Sequence, residues 1–149
     1  MGKHMSAYRT FTTLCVDGHG LNPVRISELL GVEPDRTLYG GKLSVRKRNG
    51  VMHTESANTP DPEAGSWRRE IDRDKRSLSV EDQLEYWFKF LVDRAEAMRV
   101  IDQAGGKMSI DCYMDQSNPI IVYFSPEFTR KLSDLHIPVK FTIYGSEPG

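Results

Sequence analysis

Apolar and polar positions alternate most cleanly in two stretches. Met108, Ile110, Cys112 and Met114 fall on one parity and Ser109, Asp111 and Tyr113 on the other, the period of a strand with one dry and one wet face. Val139, Phe141 and Ile143 against Lys140, Thr142 and Tyr144 repeat the pattern near the C-terminal end. Tyr8–Val16 is rich in Thr, Phe and Val and is closed by Asp17-Gly18-His19-Gly20, which predicts a strand and a turn. Pro119–Phe124 is apolar on both parities and predicts a central strand, and Leu43–Arg48 and Trp67–Ile71 predict two more. Between these, Asn49–Ser66 contains Gly50, Pro60, Pro62 and Gly65 with few apolar anchors, and predicts a long mobile loop.

Helical spacing begins where Asn22-Pro23 supplies an N-cap and a first-turn proline, with Ile26, Leu29 and Leu30 as the apolar stripe and Gly31 as the stop. The strongest helical signal is Val80, Leu84, Trp87, Phe88, Leu91, Ala95, Met98 and Ile101, opened by Ser79 and closed by Gly105-Gly106. Asp93 with Glu96 is a second start signal, so this stretch divides near Val92. Ser125-Pro126 opens a third helix with Phe128, Leu132 and Leu135 inward. Two strand–helix–strand halves joined by a long central helix follow from this order. The expected class is α+β, a mainly antiparallel sheet with its helices packed on one face.

Composition narrows the setting. The chain has 149 residues, 38% hydrophobic and 28% charged, with a formal net charge of −1. Such a length suits one domain with a real core, here 5–145, with 1–4 read as a vector remnant. No apolar run reaches the ~18 residues a bilayer span requires, so no membrane partner is expected. Nucleic-acid modules carry a basic excess. Arg46-Lys47-Arg48, Arg68-Arg69 and Lys75-Arg76 read instead as solvated mixed-charge surface, and nucleic acid is not expected. Two cysteines in strand settings, Cys15 and Cys112, fit free thiols in a reducing cytoplasm.

Particular residues carry a family resemblance: Asn22-Pro23 with Ile26, Leu29, Leu30 and Gly31, then Glu33-Pro34 with Arg36, then Trp67, then Leu84, Leu91, Ser125-Pro126 and Ile143-Tyr144. On these the chain resembles the bacterial domain-of-unknown-function family number 4279, over about Tyr8 to Tyr144. The resemblance implies an α+β domain and brings no activity with it.

The familiar catalytic signatures do not occur. There is no Gly-x-Ser-x-Gly elbow, and Gly40-Gly41-Lys42 lacks the spacing of a phosphate loop. Among His4, His19, His53, His136, Cys15 and Cys112 there is no Cys–Cys or His–His pair at zinc-ligand spacing, and no cofactor is expected. The expected function is a non-catalytic binding module for a protein partner or small ligand; neutralising a toxin would be one such task, and self-association another. The candidate surface is Arg36, Tyr39, Trp67, Tyr113 and Tyr144, because Tyr, Trp and Arg dominate binding hot spots. The alternative is an enzyme with a dispersed site around His19, Arg36 and Asp111.

Overall fold

A computed structural model describes residues 8–57, 59, 61–116 and 121–145 of the chain. Among them the elements run β1 (Tyr8–His19), α1 (Pro23–Leu30), β2 (Arg36–Tyr39), β3 (Leu43–Arg48), β4 (Val51–Ser56) and β5 (Ala64–Glu70). A 3-10 turn at Arg73–Lys75 leads into α2 (Val80–Val92) and α3 (Ala95–Gln103), followed by β6 (Lys107–Gln116), α4 (Pro126–Leu135) and β7 (Val139–Gly145). The strands form one sheet in the order β4-β3-β2-β5-β1-β6-β7. Every neighbouring pair is antiparallel except β6 and β7. This is the expected α+β class.

Two strand–helix–strand units are present, the second with β6 as its first strand in place of the expected Pro119–Phe124. β6–α4–β7 is a parallel pair joined by a helix. β1–α1–β2 has the same sense, because both strands run antiparallel to β5, which is inserted between them. The helix ends follow their local chemistry. Asn22 Oδ1 accepts the Val24 N–H at 3.0 Å, Ser79 Oγ the Asp82 N–H at 3.1 Å and Ser125 Oγ the Phe128 N–H at 3.1 Å. The central helix breaks after Val92 into α2 and α3. Arg94 holds that break against α1: its guanidinium donates to the Leu30 carbonyl at 2.7 Å and to the Phe90 carbonyl at 3.0 Å while lying over the Phe90 ring.

One parity of the central strands faces the helices. Leu14 and Val16 of β1, Trp67 of β5 and Ile110, Cys112 and Met114 of β6 are buried against Leu84, Trp87, Phe88, Leu91, Ile101 and Phe128. A polar post runs through this apolar layer. Gln83, fully buried, accepts the Thr12 N–H at 3.0 Å and the Thr12 hydroxyl at 3.1 Å, and donates to the carbonyls of Thr10 and Leu78. Trp87 Nε1 in turn donates to Thr12 Oγ1 at 2.8 Å. Thr12 lies one residue beyond the β1–β5 ladder, which begins at Thr13, so the amide of α2 takes the place of a strand partner.

Three expectations need correction. Asn49–Ser66 is no long loop: Asn49 and Gly50 have φ of 51° and 80° and turn β3 into β4, as two positive-φ residues do in a tight hairpin. Of Pro119–Phe124, the first two residues lie outside the described ones; Ile121–Phe124 join no strand, and Ile121 is 92% exposed. Phe141 and Ile143, expected inward, are exposed on β7, an edge strand. Met1–His4, read as a remnant, also lie outside the described residues. No helix among the described residues is long and apolar enough to cross a membrane.

Candidate functional site

Among the described residues the second face of the sheet carries no helix, and its register brings distant arginines into one line. Residues directly opposite on paired strands point to the same side. Arg46 of β3 is opposite Arg36 of β2, Arg36 is opposite Arg68 of β5, and Arg68 is opposite Cys15 of β1. His53 of β4 continues the row beyond Arg46. Three guanidiniums on adjacent strands thus cross the open face side by side.

They differ in how their charge is met. Arg68 pairs with Asp17 at 2.9 Å, and Arg76, at the far side of the face, pairs with Glu70 at 2.7 Å. Among the described residues, Arg36 and Arg46 have no carboxylate within ion-pair reach. Like charges directly opposite on a sheet are destabilising, so this pair costs the free protein stability.

Toward the other end of β1 the face becomes aromatic. Phe11 and Tyr113 are opposite one another on β1 and β6, with ring centroids 5.0 Å apart, and Tyr113 lies 5.2 Å from Tyr144 of β7. Arg76 covers the outer side of Phe11, its guanidinium carbon 4.7 Å from the ring centroid. Such a cation–aromatic contact holds the ring in place without burying it. Between ladder and arginines lie Thr13, Glu70 and Asp111, and Asp111 is held by Lys140 and Thr142. Phe11, Thr13, Arg36, Arg46, Arg68 and Tyr113 are among the residues lining a basin of about 750 Å³ on this face.

Cys15 lines this basin but is almost fully covered, and burial pushes its thiol up to about 11. Cys112 is opposite Thr12 on the helix face, where burial raises its thiol to about 12. Both are free, and they point to opposite sides of neighbouring strands. Neither has the electropositive, accessible setting of a reactive thiolate.

The expected binding residues therefore separate. Arg36, Tyr113 and Tyr144 share the open face. Trp67 does not: it is fully buried on the helix face, its indole N–H donating to Ser27 Oγ at 3.0 Å, and it packs the core. Tyr39 is half exposed but faces the other way, into an apolar groove between α1 and the β3–β4 hairpin with Val24, Leu43 and Met52. The dispersed enzymatic set separates too. Arg36 and Asp111 line the basin, whereas His19 sits six residues along β1 from Thr13, the partner of Asp111, which is roughly 20 Å at strand rise. Both His19 nitrogens face carboxylates, Nδ1 to Asp61 at 3.2 Å and Nε2 to Glu63 at 2.6 Å. The hydrogen bond to Asp61 first, and then the two negative charges, raise its pKa. It fastens the segment before β5 to the end of β1.

Phe11, Arg46, Arg68 and Arg76 are site residues that sequence reasoning missed. The Asn49-Gly50 turn was the available signal, since it sets the β3–β4 register and with it the face of Arg46.

Neither a search of curated proteins nor one of solved structures finds a match. The model of the family described as "Domain of unknown function (DUF4279)" matches residues 7–146, nearly the whole chain. The residues that build the sheet, its helix layer and the open-face basin all fall within that match, and the protein belongs to this family of domains of unknown function.

Proposed function

We propose that the protein is a small binding module that takes an anionic ligand on the open face of its sheet. The observation that carries this reading is the Arg36–Arg46 pair, two neighbouring guanidiniums without a carboxylate partner among the described residues, set in the same basin as the Phe11 and Tyr113 rings. Guanidiniums match the planar oxygens of carboxylates and phosphates. Exposed rings add contact area at little entropic cost. A bound anion relieves the repulsion across the two strands, so the fold itself favours the liganded state. The buried free thiols support a reducing compartment, the cytoplasm, as the place of action.

The test is a thermal-shift screen of anionic and neutral metabolites on the native protein and on R36A/R46A. Ligands that stabilise the native protein and no longer stabilise the variant support the reading. A set of ligands that stabilise both equally would overturn it.

A further inference from the structure

We propose that the ligand of this basin is a phosphorylated planar-ring compound of the nucleoside polyphosphate class, its terminal phosphate on Arg36 and Arg46 and its ring on Phe11 and Tyr113. This rests on the reading of the open face as a binding site and names the chemistry it takes.

Charge selects the anionic group. Arg36 and Arg46 present two positive charges without carboxylate partners among the described residues, on directly opposed positions of β2 and β3. A terminal phosphate carries about −1.5 to −2 near neutral pH and offers three acceptor oxygens. It can therefore span two guanidiniums and balance both, whereas a single carboxylate balances one. Arg68, next in the row, already pairs with Asp17 and adds a donor rather than a bare charge.

Length selects the spacer. Phe11 lies four residues along β1 from Cys15, whose row holds the arginines, and two strands across from β2. At strand rise and spacing this places the Phe11 and Arg36 backbones roughly 16 Å apart. Both side chains reach into one continuous basin. A phosphate attached directly to a nucleoside is too short to join the two ends, and a chain of phosphates supplies the missing reach. Of the carboxylates lining the basin, Glu70 is paired with Arg76, Asp72 with Arg69, Asp111 lies beside Lys140, and Asp35 is turned to the Glu70 N–H at 2.7 Å.

The rings select the other end. Phe11, Tyr113 and Tyr144 form a run of three with centroid spacings of 5.0 Å and 5.2 Å. Phe11 is fixed by Arg76 from one side, and Tyr113 is partly open to the basin. A base laid on such rings gains affinity by stacking, whatever its identity.

Calorimetric titration of the native chain with adenosine, AMP, ADP, ATP, inorganic phosphate and citrate tests this. The expected order places ADP or ATP at least about tenfold tighter than adenosine, AMP and inorganic phosphate. R36A/R46A should abolish that advantage and leave adenosine unchanged. Y113A should weaken ADP about fivefold or more and leave inorganic phosphate unchanged; circular dichroism confirms that both variants fold. Citrate binding as tightly as ADP and lost in R36A/R46A overturns the nucleotide class but leaves the anion site standing. Nucleotide binding that ignores both variants overturns the class and the site together. If no probe binds the native chain, the class is overturned, and the site is then judged by the non-phosphorylated hits of the metabolite screen.

Discussion

Replacing Arg36 with Thr should stabilise the free protein. Arg36 faces Arg46 directly across the β2–β3 pair, and Arg68 on its other side is neutralised by Asp17. One repulsive pair therefore dominates. Like charges opposed on a sheet cost about 0.2–1 kcal/mol. Coulomb's law gives about 0.7 kcal/mol for two unit charges ~6 Å apart in water, so about 0.5 kcal/mol is the expected gain at low ionic strength. In a domain of this size that raises Tm by roughly 1–2 °C. Thr suits a strand and leaves no buried polar group unmet. The assay is urea denaturation of the native protein, R36T, R46T and R36T/R46T at low salt and at 1 M salt. Each single variant should gain about 0.5 kcal/mol, and the double variant little more than either, because the pair is lost once. The coupling should vanish at 1 M, where the Debye length falls to about 3 Å. A loss of stability in R36T that is insensitive to salt would show that the arginine stem packs the fold, and would refute the repulsion.

Three further outcomes follow. Gln83→Leu removes the buried side chain that accepts from Thr12 and donates to the Thr10 and Leu78 carbonyls; it leaves the fully buried Thr12 N–H unmet, which at about 1–3 kcal/mol per orphaned group should cost about 2 kcal/mol, and a fall in Tm of under 2 °C would contradict the role of the polar post. His19, with its pKa raised by Asp61 and Glu63, contributes stability that is full below its unfolded value near 6.5 and lost as pH rises through its folded value; Asp61, held low first by the Glu63 N–H and then by His19, contributes above its unfolded value near 3.8 and loses that as pH falls. Stability of the native protein relative to His19→Ala should therefore be greatest between those two limits and shrink toward pH 8, and a difference that grows with pH would contradict the clamp. With thiols raised to about 11 and 12, Cys15 and Cys112 should react with a disulfide reagent at pH 8 at least about a hundredfold more slowly in the native than in the unfolded chain; rapid modification of Cys15 alone would mean that the basin floor opens.

Some of this protein is written plainly in its sequence and some is not. The capped helices at Asn22-Pro23, Ser79 and Ser125-Pro126 were legible because cap chemistry is local, and the division after Val92 was legible from Asp93 and Glu96. β6 was legible because it is central, dry on one side and wet on the other. β4 was hidden because both its faces are exposed at the sheet edge, so nothing forces alternation on Val51–Ser56; only the Asn49-Gly50 turn announces it. Ile121, Tyr123 and Ile143 misled in the opposite direction, their apolar character marking surface rather than a central strand or core, while Val122 and Phe124 pack against the core without joining the sheet. Trp67 looked like a binding aromatic and is core because its position shares a face with Val16. The basin could not be read at all from clusters such as Arg46-Lys47-Arg48 and Arg68-Arg69. Neighbours in sequence alternate faces, and the row is made by Arg36, Arg46 and Arg68, which only strand register brings together.

The most direct measurement of the central claim is a backbone amide NMR titration with ligands that stabilise the native protein. Shift changes centred on Phe11, Thr13, Arg36, Arg46, Arg68 and Tyr113, and abolished in R36A/R46A, are the predicted result. Changes confined to the groove of Val24, Tyr39, Leu43 and Met52, on the other face of the sheet, would contradict it.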